Sequence, residues 1–138
     1  MKKNLTLILF SACISLATTT TFAKTQEKSI HFIKGTDHSK IAGSFTGYDD
    51  IHYKVYAKKG QTLKFNLESN QGLAYLNIFA PEDQPGKANA LLIGSSAGSV
   101  GEIVLPTTGA YTLQVYQMRN SARQNKTVKF NLALKIPK

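Results

Sequence analysis

Cysteine is almost missing from this chain: Cys13 is the single one among 138 residues. No disulfide can form within the chain, so stability has to come from apolar packing. Arginine is nearly as scarce, with two residues, Arg119 and Arg123, in a chain that otherwise uses lysine for every positive charge. Apart from a stretch at the amino terminus there is no long apolar run. No apolar stripe of period 3.6 occurs anywhere, which excludes long amphipathic helices. Acidic residues number 8 against 17 basic ones, a net charge of +9.

The apolar stretch is Leu5 to Leu16, preceded by Lys2 and Lys3 and closed by Thr21-Phe22-Ala23. It is too short for a membrane span, which needs roughly 18 or more apolar residues. Small residues at the end suit a signal peptidase, so residues 1–23 read as a secretory signal cut after Ala23. Phe10-Ser11-Ala12-Cys13 loosely matches a lipid-attachment box, although phenylalanine at its first position and the very early cysteine count against it. The expected mature chain is 24–138, one domain long enough for its own core. Cys13 leaves with the signal. Without Lys2 and Lys3 the net charge is +7, and a basic exported domain can meet anionic envelope polymers or an acidic cleft on another protein. Export argues against nucleic acid as a partner.

What remains has a period of two. Val128, Phe130, Leu132, Leu134 and Ile136 alternate with polar or small residues, as do Leu63, Phe65 and Leu67, then Tyr53, Val55 and Ala57, then Tyr111, Leu113 and Val115. Shorter runs at 29–34, 40–46, 74–80, 90–95 and 100–105 complete eight or nine candidate strands. "AKKGQT" (57–62) and "LPTTGAY" (105–111) place glycines where tight turns need positive φ, and "PEDQPGKANA" (81–90) is a polar surface loop. Short strands at this spacing without intervening helices predict an all-β fold, an antiparallel β-sandwich. Residues 24–28 read as a loose tail.

Catalytic candidates are poor. His31, His38 and His52 are scattered, with no carboxylate at useful spacing. The pairs Asp49-Asp50 and Glu82-Asp83 lack the alternating ligands of a calcium loop and read as solvated turn acids, so no metal or cofactor is expected. "NKT" (125–127) matches a glycosylation sequon by pattern alone. "IGSSAGSVG" (93–101) has no lysine and opens no helix, and reads as a hairpin turn rather than a phosphate cradle.

The arginine segment, "VYQMRNSARQNKT" (115–127), is different. A spacing of four puts both guanidinium groups on one side of a single helical turn, which Asn120 could cap. Arginine's planar fork grips a carboxylate through two parallel hydrogen bonds and sheds water more readily than lysine. Two readings follow: an arginine braces its own loop by bonding carbonyls, or both form a cationic prong for another protein's acidic pocket. A second loop, in "AGSFTGYDD" (42–50), offers Ser44, Tyr48 and Asp49. There Tyr48 either folds back as a rim residue or joins the arginines, since tyrosine and arginine dominate binding energy at interfaces.

"GYDDIHYKVYAKKGQ" (47–61), "LPTTGAYTLQVYQMRNSARQNKT" (105–127) and "KFNLALKI" (129–136) resemble the bacterial periplasmic inhibitors of goose-type (g-type) lysozyme. "LLIGSSAGSVGEIVLP" with "VYQMR" is also similar to the sister inhibitors of invertebrate-type (i-type) lysozyme. The "AKKGQ" and "LPTTGAY" turns further resemble pre-peptidase C-terminal sandwich domains. The resemblance implies a non-enzymatic periplasmic sandwich that inserts loops into a lysozyme cleft, with g-type lysozyme as partner. By position it assigns lysozyme binding to Tyr48, Arg119, Asn120 and Arg123, with Ser44 and Asp49 beside them. Ala42-Gly43 stands where the family more often has Ser-Gly, and Met118 where g-type inhibitors carry threonine. The competing reading is a cell-wall glycan-binding module in which Tyr48, Tyr56 and Tyr116 stack on sugars.

Overall fold

The computed structural model describes residues 22–138, together with Ser15 and Ala17. The expected lipid-attachment box and Cys13 lie outside the described residues. Eight strands form two four-stranded sheets packed face to face: β1 (Thr25–Ser29), β2 (His38–Thr46), β3 (Asp50–Ala57), β4 (Thr62–Ser69), β5 (Ala74–Phe79), β6 (Val100–Val104), β7 (Gly109–Gln117) and β8 (Thr127–Lys135). One sheet has the order β1-β3-β7-β5 and the other β2-β8-β4-β6. All pairings are antiparallel except β1 with β3.

The period-two series supply the core. Ile51, Tyr53 and Val55 from β3, Tyr111, Leu113 and Val115 from β7, Leu63, Phe65 and Leu67 from β4, and Val128, Phe130, Leu132 and Leu134 from β8 are all buried. Alternation on a pleated strand sends every second side chain to one face, and facing sheets bury those faces together. Tyr53 and Phe130 meet across the layers edge to face, with centroids 6.4 Å apart. The "LPTTGAY" turn is tied by its own tyrosine: Tyr111 Oη donates to Thr107 O at 2.6 Å and accepts from Thr107 N at 3.1 Å. The two turn glycines have the expected positive φ, 88° at Gly60 and 156° at Gly109.

Four local expectations are corrected. Residues 24–28 are not a loose tail, because β1 pairs with β3 in register from Thr25↔Asp50 to Ser29↔Lys54. The run 29–34 contributes only the end of β1; beyond Ile30, whose N–H still reaches Lys54 O at 2.8 Å, it is irregular. The run 90–95 is not a strand but makes a single bridge, Ile78↔Leu92, and then a helical turn α1 (Gly94–Ala97). A Cβ at Gly94 would sit 2.3 Å from Leu76 O, so the chain lies directly on β5 there. The "IGSSAGSVG" segment is accordingly α1 followed by β6, not a hairpin turn.

The histidines also differ from expectation. His52 Nε2 lies 2.9 Å from Asp50 Oδ2, and His38 Nδ1 lies 3.2 Å from Asp37 Oδ1. Asp50 and His52 are two apart on β3 and so share a face. Asp50 also accepts from Gln114 Nε2 at 2.8 Å and Thr25 Oγ1 at 2.6 Å. This carboxylate thus ties β1, β3 and β7 together and is no solvated turn acid. The hydrogen bond from His38, helped by nearby Lys135, holds the Asp37 carboxyl below its ordinary range.

Candidate functional site

Strand register decides where the two polar loops emerge. β2 pairs with β8 through Thr46↔Thr127, and β3 pairs with β7 through Ile51↔Val115. The β2–β3 loop and the β7–β8 loop therefore lie at the same end of the sandwich, and each crosses from one sheet to the other. They touch: Gly47 N donates to Lys126 O at 3.0 Å. At their base Thr46 Oγ1 and Thr127 Oγ1 are 2.8 Å apart.

Gln117 locks the junction. Its side chain is buried, and Nε2 donates to Gly47 O at 3.0 Å and to Lys126 O at 2.8 Å. Both loop carbonyls are thus satisfied by one amide, although Gln117 Oε1 has no partner among the described residues. Sequence reasoning missed this residue. The signal was present, because Gln117 continues the inward series Tyr111, Leu113, Val115, and a buried glutamine has to find hydrogen bonds. Gly47 turns the neighbouring loop at φ 62°, and a Cβ there would sit 2.8 Å from Asn125 Oδ1.

The arginine segment does make a helical turn, α2 (Arg119–Ala122), with Arg123 still in helical geometry. Ala122 N and Arg123 N bond back to Met118 O and Arg119 O at 2.9 and 3.0 Å. The expected cap is corrected: Met118 occupies the N-cap, and Asn120 instead accepts from Arg123 Nη2 at 3.0 Å. Ser121 and Ala122 are buried and anchor the turn, with Ser121 Oγ donating to Met118 O at 3.0 Å. Arg119, Asn120 and Arg123 are exposed. Among the described residues neither arginine meets a carboxylate, and neither side chain bonds a backbone carbonyl. The expected brace through backbone carbonyls is not formed among the described residues; Arg123 instead bonds Asn120 of its own turn.

Tyr48 is 55% exposed at the tip of the neighbouring loop and does not fold back onto the core. It shares a surface depression with Thr46, Asp49 and Asn125. Asp49 Oδ1 accepts from Lys24 N at 2.8 Å. Ser44 is exposed on β2, opposite Lys129 of β8. The structure therefore brings Tyr48, Arg119, Asn120 and Arg123 to one end, with Ser44 and Asp49 at its margin. Tyr56 is not with them: it pairs with Ala110 at the far end of β3, and Tyr116 packs on Tyr75 with centroids 6.0 Å apart. The three tyrosines form no common platform for a sugar. Among the described residues no three His, Cys, Asp or Glu side chains gather as a metal site.

An exposed tyrosine and two exposed arginines, neither paired with a carboxylate among the described residues, share one end on clasped loops, and the fold defines the class: a small β-sandwich protein with a cationic loop end. No family model matches the chain. It is 36% identical to an inhibitor of g-type lysozyme from Escherichia coli over 123 residues, covering 89% of this chain and 90% of the relative. The crystal structure of a periplasmic inhibitor of g-type lysozyme from Aeromonas hydrophila is similar with a TM-score of 0.79 and 40% identity, covering 84% of this chain and all of that one. The pre-peptidase C-terminal domain of a Bacillus anthracis collagenase shares the fold at a TM-score of 0.55 and 17% identity, over 83% of this chain and 98% of that one. The chain belongs to the family of periplasmic inhibitors of g-type lysozyme.

Proposed function

We propose that this protein is a periplasmic, non-enzymatic inhibitor of g-type lysozyme that presses its two clasped loops into the enzyme's substrate cleft. The family membership supports the target. The observation that supports the mechanism is the shared end: Tyr48 on one loop, and Arg119 and Arg123 on the other, fixed to each other through Gln117. Residues 1–23 act as the export signal, and 24–138 form the inhibitory domain.

Glycoside hydrolysis needs a carboxylic acid that gives its proton to the leaving oxygen, and that acid works because its pKa is raised by its surroundings. A guanidinium group placed beside it favours the ionised form and removes the proton that catalysis requires. Arg119 suits this role because no carboxylate of its own chain competes for it among the described residues. Arg123, held by Asn120, supplies a second positive charge one helical turn away. Tyr48 offers a flat apolar ring with a polar tip to a sugar subsite. Asn120, Ser44 and Asp49 supply polar contacts at the margin of the same surface.

The test is a turbidity assay of cell-wall lysis with g-type, i-type and chicken-type lysozymes, comparing wild type with Arg119→Ala and Tyr48→Ala. Truncating one member of a desolvated charge pair costs about 2–5 kcal/mol, so Arg119→Ala should weaken inhibition of g-type lysozyme by roughly 30-fold or more. Circular dichroism should be unchanged, because the side chain is exposed and supports nothing else. Full inhibition by Arg119→Ala would rule out the prong.

A further inference from the structure

Asp49 and Asp50 hold the beginning of the expected mature chain. Lys24 N donates to Asp49 Oδ1 at 2.8 Å, Asp50 N donates to Lys24 O at 3.1 Å, and Thr25 Oγ1 donates to Asp50 Oδ1 at 2.6 Å. Phe22 and Ala23, just upstream, line the same depression as Tyr48, Asp49 and Asn125. Phe22 is 89% exposed there and makes no use of the core. The amino-terminal segment thus enters the domain at the end that carries the inhibitory loops.

We infer that cutting the chain after Ala23 finishes the inhibitory surface, by turning the Lys24 nitrogen into an ammonium that pairs with Asp49 and by clearing Phe22 and Ala23 from beside Tyr48. This rests on the reading of residues 1–23 as a cleaved signal and of this end as the lysozyme-facing one. The step is hydrolysis of the Ala23–Lys24 peptide bond by a signal peptidase. Water's hydroxyl goes to the Ala23 carbonyl carbon, leaving a carboxylate on the released segment, and the Lys24 nitrogen becomes a protonated amine. Before the cut that nitrogen is a neutral amide with a single N–H aimed at Asp49. Afterwards it carries a full charge and three donors at the same place, and a charge-assisted hydrogen bond is roughly twice as strong as a neutral one.

The consequence reaches the inhibitory loop because Asp49 adjoins Tyr48. Asp49 N is bonded to Thr46 O at 3.2 Å, closing the turn on which Tyr48 rides. An ammonium held on Asp49 restrains that turn from its open side, where Gln117 and Lys126 restrain it from the other. Asp49 is on this account a positioning residue for Tyr48. It also gives the acid pair a task that neither calcium binding nor simple solvation provides.

The experiment uses chains released from a cleavable tag so that the first residue is either Lys24 or Phe22, each with Asp49 and with Asp49→Asn. Half-inhibitory concentrations on g-type lysozyme and melting temperatures are measured for all four, and the exported natural product is weighed to identify its first residue. The chain beginning at Lys24 should inhibit about tenfold better than the one beginning at Phe22, as expected for an exposed ion pair gained together with an obstruction removed. Asp49→Asn should lower the melting temperature of the Lys24 form more than that of the Phe22 form. A carboxy-terminal extension should be neutral, since Lys138 lies beside Lys58, Lys59 and Gly60 at the opposite end. Equal inhibition by the two forms, or an equal effect of Asp49→Asn on both melting temperatures, would overturn the inference. An exported product beginning elsewhere would overturn its processing step. Failure of every form to inhibit g-type lysozyme would instead sink the inhibitor reading, and the melting comparison would still decide whether the ammonium pairs with Asp49.

Discussion

Gln117→Leu should loosen the end that carries the two clasped loops while leaving the sandwich intact. Leucine has nearly the volume of glutamine, so the substitution acts on hydrogen bonds and hardly on packing. Gly47 O loses the Gln117 amide, its bonding partner within the chain. Lys126 O loses one of two donors and keeps Gly47 N at 3.0 Å. A buried acceptor left bare costs about 1–3 kcal/mol, and a neutral bond lost by a group that keeps another partner costs about 0.5–1.5 kcal/mol. Against this, the unpartnered Gln117 Oε1 disappears, returning about 1 kcal/mol. The net loss is about 0.5–3.5 kcal/mol, or a fall of roughly 2–14 °C in melting temperature for a domain of this size. Inhibition should fall as well, because the loops are no longer held in one arrangement and binding has to order them. Gln117→Glu is the sharper version. An ionised carboxylate has no donor for either carbonyl, so this variant should be least stable near neutral pH. Burial against two acceptors raises its pKa, and stability should recover as the pH falls through that raised value and one O–H donor returns. Thermal melts at neutral and mildly acid pH, with the lysis assay run alongside, read both effects. If Gln117→Leu melts and inhibits like wild type, the clasp does not hold the loops.

Two further substitutions probe the core beneath the site. Tyr53 is 1% exposed and its hydroxyl has no partner among the described residues, so Tyr53→Phe should stabilise the protein by about 1 kcal/mol in denaturant titrations. Burial raises the Tyr53 pKa above its ordinary value of 10.0. Its contribution to stability is therefore intact below about pH 10 and is lost as the pH climbs through the raised folded value. Tyr53→Phe should flatten that alkaline loss, and an unchanged alkaline profile would count against the burial argument. Gly43 lies under Phe130, where a Cβ would come 2.4 Å from Cζ of the ring. Gly43→Ala should thus cost about 1–3 kcal/mol through overpacking, and a melting curve superimposable on wild type would show that Phe130 can move aside.

The sandwich was readable because its strands are amphipathic at period two: the strong series (53–57, 63–67, 111–115, 128–136) all turned that face inward on strands, with Ile136 buried one residue past the end of β8. The misses came where no such pattern exists. β1, "TQEKS", is polar on both faces and is a strand only because β3 offers its edge and the acid pair grips its start. Leu91, Leu92 and Ile93 look strand-like, yet the chain turns at Gly94 because that residue rests on the β5 backbone, with Asn77 Oδ1 taking its N–H at 3.0 Å. Asp50 and His52 were within reach of sequence reasoning, since residues two apart on a strand share a face.

The residues of the candidate site were singled out by arginine scarcity and an outlying tyrosine, but their placement at one end was not visible. Thr46 and Thr127 are 81 residues apart, and no local preference says that β2 pairs with β8 while β3 pairs with β7. That pairing alone decides whether Tyr48 and the arginines share an end or sit at opposite ones. Gln117 records the answer in one residue, because an amide buried at the end of an inward series can satisfy its N–H groups only if two loops are brought to it. The shared loop end therefore depends on long-range strand order, and a polar residue in an otherwise apolar series is the local trace that such order leaves.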